Sequence, residues 1–460
     1  MAMGKQGSRQ ESLFIATEQL MQSPGHPFYR KLNALLAEAG FDGWVESRCE
    51  QYYQGNDVRG RKSIPPGVYF RMVFVGYFEG IDSQRGIAWR CADSLALRQF
   101  LGIPLDEGTP DHSTLTNTRK RLPAEVFTEV FQFVLTIAHE KKLLSGQTVG
   151  VDSTTLEANA AMKSIVRKDS GEDWKQYVTR LMREEGVLEA GEEPTDEEVR
   201  RFDKKRKDKK VSNDEWESST DADARITKMK DGTTHLAYKA EHVVDLDSDL
   251  VVAAEIYPAD RGDTRTLTDS VMTAQIHLKE AGVAATIEEV AADKGYHAAE
   301  VIETCDALNL RTYIPEPRRP HESKWTDKPD GHRRAVVNNR RRVQRDKSKK
   351  LQRRRSEVVE RTFAHICDTG GTRRSWLRGL VDVGKRYLMA ATAHNLGRLM
   401  RLLNGIGKPK SLQGDSGLAA LAQLLSARLT NVWERLQNLT ASWDYSWRRT
   451  VWHQNVGFAL

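Results

Sequence analysis

A chain of 460 residues is long enough for two to four domains with cores of their own. Hydrophobic residues make up 39% and charged ones 29%, and the net charge is only +6, so the placement of charge says more than its sum. Cys49, Cys91, Cys305 and Cys367 are scattered without CxxC or Cys/His ligand spacing, which excludes a disulfide framework and a zinc site and fits a reducing cytosol. The first residues lack an apolar signal core and no run approaches membrane-spanning length, so the expected location is cytoplasmic, with no membrane partner.

Residues 1 to about 30 are polar. From Pro27 to Tyr53 the pattern predicts two short helices broken near Gly40 and Gly43, and Pro65-Pro66 can start a third, VYFRMVFVGYFEG, apolar on most sides. Short helices follow in SQRGIAWRCADSLALRQFLG and in TPDHSTLTNTRKRL. Asp111 or Ser113 can cap the last of these, and Arg119, Lys120 and Arg121 crowd its end. That succession fits either a helix-turn-helix-like unit docking on DNA or a helical bundle with a solvated charged face. Ala124 to Leu144 reads as a longer amphipathic helix bridging to a second domain.

There the periodicity changes. TVGVDSTTLEA, THLAYKAEHVVDLDS and LVVAAEIYPA read as strands, Thr264 to Ala281 as a helix, AATIEEVAAD as a fourth strand and LRTYIPEP as a fifth. Antiparallel neighbours followed by helical crossovers predict a mixed α/β sheet. Between the first two strands, about 168–224, lies a charged insert containing KKRKDKK, read as an exposed helical excursion. From Arg318 to Arg355 about half of RRAVVNNRRRVQRDKSKKLQRRR is Lys or Arg, which predicts a basic arm that meets a polyanion or solvent. A core helix with a basic outer face then precedes a helical tail with Trp433, Trp443, Trp447 and Trp452.

Three carboxylate positions stand out. Asp152 lies on the first strand, Asp293 ends the fourth before the Lys294-Gly295 turn, and Glu357 and Glu360 lie three apart on the helix after the basic arm. Acids on adjacent strand ends and a facing helix can hold two Mg²⁺ (or Mn²⁺) ions a few ångströms apart, an arrangement that suits phosphodiester chemistry.

VGVDSTTLEANA, GDTRTL, VAADKGYH and VVERTFAHI, in that order, resemble bacterial insertion-sequence transposases of the DDE class. The front part, from GVYFRMVFVGYFEG to TNTRKRL, is similar to their helical DNA-binding region, and the likeness runs from about Pro65 to Leu403. It implies an RNase-H-like α/β catalytic core (146–405) behind an all-α N-terminal region (1–145), with a helical tail (406–460). It implies an endonuclease and DNA strand transferase that binds terminal inverted repeats and target DNA as duplex, as a homodimer, near the bacterial nucleoid. Carried over by motif, Asp152, Asp293 and Glu360 are the metal-binding catalytic acids, with Glu357 the fallback for the third. The pattern departs from many relatives: Arg355 is one position off the commonest Arg spacing, Cys367 stands where a Lys is expected, and the upstream Tyr is missing. The DNA-contacting cations would be Arg119, Lys120, Arg121, Arg340, Arg341, Arg342, Arg345, Arg353, Arg354, Arg355, Arg373 and Arg374, with Arg378 a further candidate. An inactive, transposase-derived regulator and a host nuclease on the same fold are the alternatives.

Overall fold

A computed structural model describes residues 23–53, 63–189, 191–207, 212–229, 232–318, 325 and 328–412. The expected tryptophan-bearing tail helix and the end of KKRKDKK lie outside these residues, as do 319–324, 326 and 327 of the basic segment.

Among the described residues seven α-helices precede the first strand: α1 (Pro27–Glu38), α2 (Phe41–Cys49), α3 (Pro66–Glu79), α4 (Gln84–Asp93), α5 (Leu95–Leu101), α6 (His112–Arg121) and α7 (Ala124–Glu140). Local chemistry sets their starts. Ser83, Ser94 and Asp111 each accept a hydrogen bond from a backbone N–H of the first turn that follows, satisfying a donor the helix itself cannot. α3 is buried on most sides, as its apolar density predicts. Phe70 and Phe74 are fully enclosed there, each contributing about 2–3 kcal/mol by burial.

The sheet comprises β1 (Thr148–Glu157), β4 (Arg225–Lys228), β5 (Thr234–Asp245), β6 (Val251–Pro258), β7 (Glu289–Ala291) and β8 (Arg311–Tyr313), while β2 (Ile165–Arg167) and β3 (Trp216–Ser218) form a separate pair. Strand order is β6–β5–β1–β7–β8, with β4 sharing the outer edge of β5. β5 runs antiparallel to β1 and β6, whereas β7 is parallel to both β1 and β8. Three antiparallel strands extended by two parallel ones, with helices on both faces, make an RNase-H-like core. α10 (Asp263–Glu280) links β6 to β7 and α11 (Ala299–Ala307) links β7 to β8, the right length for crossovers between parallel strands.

The last helices, α12 (Asp330–Val343), α13 (Asp346–Phe363) and α14 (Leu380–Asn404), close the fold. Two buried asparagines protect the sheet where its ladder ends. Asn395 on α14 bonds both the N–H and the C=O of Val251, and Asn339 on α12 does the same for Ile314. Each leaves a backbone pair satisfied that would otherwise be buried and unmatched. Among the described residues the main hydrophobic cluster runs from Phe28 in α1 to Ile406 beyond α14, so the helical front and the sheet share packing through α7 and α14.

Two charged segments are more ordered than their composition suggests. The insert holds α8 (Trp174–Glu184) and α9 (Asp196–Lys205), each started by a capping box, with Val178, Met182 and Val199 as a small core of their own. The basic segment is two docked helices rather than an extended arm. Ala335, Val336 and Asn339 give α12 a buried stripe at helical spacing, which is enough to seat a helix whose other faces are cationic.

Candidate active site

β1 and β7 pair in parallel as far as Gly150 and Ala291. Two more residues on each strand bring Asp152 level with Asp293, where β7 has ended and β1 continues beside β5 alone. Asp293 accepts a hydrogen bond from the Gly295 N–H at 2.7 Å, so it caps the short turn Lys294–Tyr296 as well as standing at the strand's end. Asp152 is mostly buried. Burial pushes its carboxyl above the ordinary range, Arg355 and the Ser153 N–H oppose that rise, and the neighbouring Asp293 charge adds to it.

α13 crosses the sheet face that carries Asp152. Gln352 donates to the carbonyls of Ala292 and Tyr313, Arg355 reaches Asp152 at 2.7 Å, and Thr362 shares a hydrogen bond with His242 on β5. Residues 352, 355, 359 and 362 therefore face the strands. On one flank Arg354 and Arg361 both reach Asp249, in the turn between β5 and β6 near the start of β1. Glu357 pairs with Arg361 and projects from the back of the helix. Glu360 accepts a hydrogen bond from Ser356 at 2.8 Å and, at 100° per residue, lies on the flank opposite Arg354 and Arg361, toward the end of the sheet that holds Asp152 and Asp293. Both glutamates are exposed.

The expected DNA-contacting cations divide into two groups. Arg119 is turned inward, 7% exposed, and lies 3.6 Å from Asp382 on α14, while Lys120 is exposed and Arg121 stacks on Tyr53. Arg340 is bidentate to Glu316, Arg342 donates to the carbonyl and hydroxyl of Thr312, and Arg354 and Arg355 are held by Asp249 and Asp152. Arg373 bonds Thr154 and Asp368, and Arg374 lies over Trp376 and near Glu157. Arg341, Arg345 and Arg353 are exposed and, among the described residues, pair with no carboxylate.

A second constellation, on the opposite face of β1, is not apparent from the sequence. Ser153, adjacent to Asp152, donates to Asp263 at 2.9 Å. Lys239 on β5 is 2.7 Å from Asp263 and 3.1 Å from Glu241, and Tyr296 donates to Glu241 at 2.9 Å. The available signal is Lys239 and Glu241 alternating in the middle of LAYKAEHVV, charges that a buried face tolerates only when they are paired.

Among the described residues no three His, Cys, Asp or Glu side chains stand close enough together to hold a metal ion. The donor chemistry nevertheless fits a hard divalent cation: Asp152 and Asp293 are carboxylates level with each other, and the Asp293 charge raises the cost of charging Asp152. No helix in the described residues is long and apolar enough to cross a membrane.

Two family models match the sequence. Residues 16–121 match one described as a transposase domain (DUF772), and residues 195–396 match one described as a transposase DDE domain. The search of curated proteins returned no match. Among solved structures, a Mos1 transposase paired-end complex with left transposon end aligns at 11% identity and a TM-score of 0.18, over 70% of this chain and 86% of that one. The second family match takes in Asp293, Glu357 and Glu360 but begins after Asp152.

Proposed function

We propose, for a chain that belongs to the insertion-sequence DDE transposases, that it binds the ends of its own mobile element and cuts phosphodiester bonds there with Mg²⁺. The freed 3′-OH then attacks target DNA by the same in-line displacement at phosphorus. The observation that carries this reading is the parallel β1–β7 register, which aligns Asp152 with Asp293 beneath the helix that bears Glu360.

Asp152, Asp293 and Glu360 would hold two Mg²⁺ ions. Bound there, the ions supply an activated water or 3′-OH on one side of the phosphorus and charge stabilisation for the leaving oxygen on the other. The chain's own contribution is rigidity and electrostatics. β1 and the capped turn after β7 fix two of the acids, and α13 fixes the third through its contact with the strands. Arg355 offsets the Asp152 charge and lies beside the path of the scissile strand, and Arg373, hydrogen-bonded to Thr154 two residues further along β1, extends that positive edge. Glu360 is favoured over Glu357 because Arg361 draws Glu357 away from the strands.

Duplex affinity would come from the exposed cations of α12 and α13 and from Lys120 and Arg121 on α6, with two copies of the chain bringing two ends together. The test is Mg²⁺-dependent cleavage of a duplex carrying the element's terminal repeat. Wild type should cut it, and Asp152→Ala, Asp293→Ala and Glu360→Ala should each bind it and leave it intact. Cleavage by Asp293→Ala would sink the two-metal reading.

A further inference from the structure

We propose that Asp263 is a positioning carboxylate of this reaction centre, tying β1 beside Asp152 to the turn that presents Asp293. The role presupposes metal-dependent cleavage at Asp152 and Asp293.

Asp263 opens α10, where an acid in the first turn is ordinary because it suits the helix dipole. Its contacts go further. Oδ1 takes both the Ser153 hydroxyl, at 2.9 Å, and the Lys239 ammonium, at 2.7 Å. The other oxygen faces the turn after β7. A Cβ added at Gly295 would lie 2.9 Å from Asp263 Oδ2 and 3.0 Å from Asp293 Oδ1, so both carboxylates border the space beside the same glycine.

The surroundings keep Asp263 in place. Lys239 is buried, and an ammonium there is tolerable only with charge beside it. It donates to Thr266 at 2.8 Å and lies 3.1 Å from Glu241. Glu241 in turn accepts from Thr266 at 2.7 Å and from the Tyr296 hydroxyl at 2.9 Å. The turn Lys294–Tyr296 is thus held by Tyr296 on Glu241, and Lys239 joins Glu241 to Asp263, whose second oxygen borders Gly295. Asp263 leads on to Ser153, whose N–H bonds the Asp152 carboxylate at 2.8 Å. Asp263 touches no reacting atom. It acts by keeping Asp152 and Asp293 at the separation a metal pair demands, and loss of such an outer partner typically weakens metal binding about 10–100-fold.

The experiment compares the full chain with Asp263→Ala, Asp263→Asn and Ser153→Ala by calorimetric titration with Mn²⁺ without DNA, alongside single-turnover cleavage of the end duplex. In folded Asp263→Ala, Mn²⁺ affinity should fall about 10–100-fold. Ser153→Ala should lose affinity in the same direction. Asp263→Asn should recover part of the loss, because its amide oxygen still accepts from Ser153. A purely structural role would lower the melting temperature and leave the Mn²⁺ affinity of the folded protein unchanged. Wild-type affinity in both Asp263→Ala and Ser153→Ala therefore overturns the proposal. If Asp263→Ala does not fold, Asp263→Asn and Ser153→Ala decide the matter in the same way. A wild-type chain that binds no Mn²⁺ overturns the metal-dependent reading, and this role with it.

Discussion

Arg355 donates to Asp152 across 2.7 Å, joining β1 to the helix that carries Glu357 and Glu360. The arginine side chain is 10% exposed and the aspartate 22%, so neither charge is well solvated. Breaking one partner of such a pair strands the other and typically costs about 3–5 kcal/mol when burial is complete, less here. Arg355→Gln should therefore lower the melting temperature in metal-free buffer. A divalent ion on Asp152 would replace the missing positive charge, so saturating Mg²⁺ should restore much of the loss. Paired melts of wild type and variant, with and without Mg²⁺, test this. An equal deficit in both buffers would separate Asp152 from metal binding.

Glu357 and Glu360 differ in surroundings more than in sequence. Glu357 makes an exposed i,i+4 pair with Arg361, worth only a few tenths of a kcal/mol. Glu357→Ala should consequently cut DNA within about threefold of wild type, a change of under 1 kcal/mol in the barrier. Glu360→Ala should abolish cutting while retaining end binding. The reverse pattern in a cleavage assay would move the third acid by one turn of α13.

His242 lies directly across the β5–β1 ladder from Asp152 and is fully buried. Its two ring nitrogens share hydrogen bonds of 2.8 Å with Thr362 and Tyr387, and its ring stacks on Phe363. Burial pushes its pKa down to about 3 from an ordinary 6.5. The unfolded chain therefore takes up a proton that the folded chain refuses. The stability contribution is complete above about pH 6.5 and falls by up to about 1.4 kcal/mol per pH unit between pH 6.5 and 3. Urea midpoints measured from pH 7.5 to 4.5 should decline more steeply for wild type than for His242→Gln, which has no such proton to gain. Identical slopes would assign the acid sensitivity to other groups, such as His394, whose pKa burial also lowers.

Much of this is legible in the residues because it depends on short-range pattern. The alternation in TVGVDSTTLEA, the apolar density of LVVAAEIYPA and the Asp-Lys-Gly turn announce β1, β6 and the end of β7 within a few residues. Asp111 caps α6 as its type and position suggest. What stays hidden depends on partners remote in the chain. Arg119 reads as a surface cation until Asp382, more than two hundred residues away, proves to face it. Asn339 reads as part of a polar run, yet it is buried against the backbone of Ile314. The segment from Arg333 to Arg355 carries so much charge that the stripe seating α12 is outweighed in composition. The insert reads as helical and is so in α8 and α9, but its small core stays hidden, because Val178 and Met182 on one helix and Val199 on the next are few among charges.

The paired and unpaired arginines of α12 and α13 make different predictions. Arg340 and Arg342 are already committed, one to Glu316 and the other to Thr312, so their replacement by Gln should cost stability as well as affinity. Arg341, Arg345 and Arg353 are exposed and have no carboxylate partner among the described residues. Cations this dense along α12 and α13 repel one another, and a DNA backbone relieves that repulsion while releasing condensed counterions. Replacing these three with Gln should leave the melting temperature within error and weaken binding to end-containing and random duplex alike. It should also flatten the plot of log affinity against log salt by roughly 0.9 for each phosphate that is no longer neutralised. The measurement is a fluorescence-anisotropy titration of wild type and the triple variant at several salt concentrations. A slope identical to wild type would mean that this face of the two helices meets solvent, and the backbone grip would then be sought at Arg373 and Arg374 beside the end of β1.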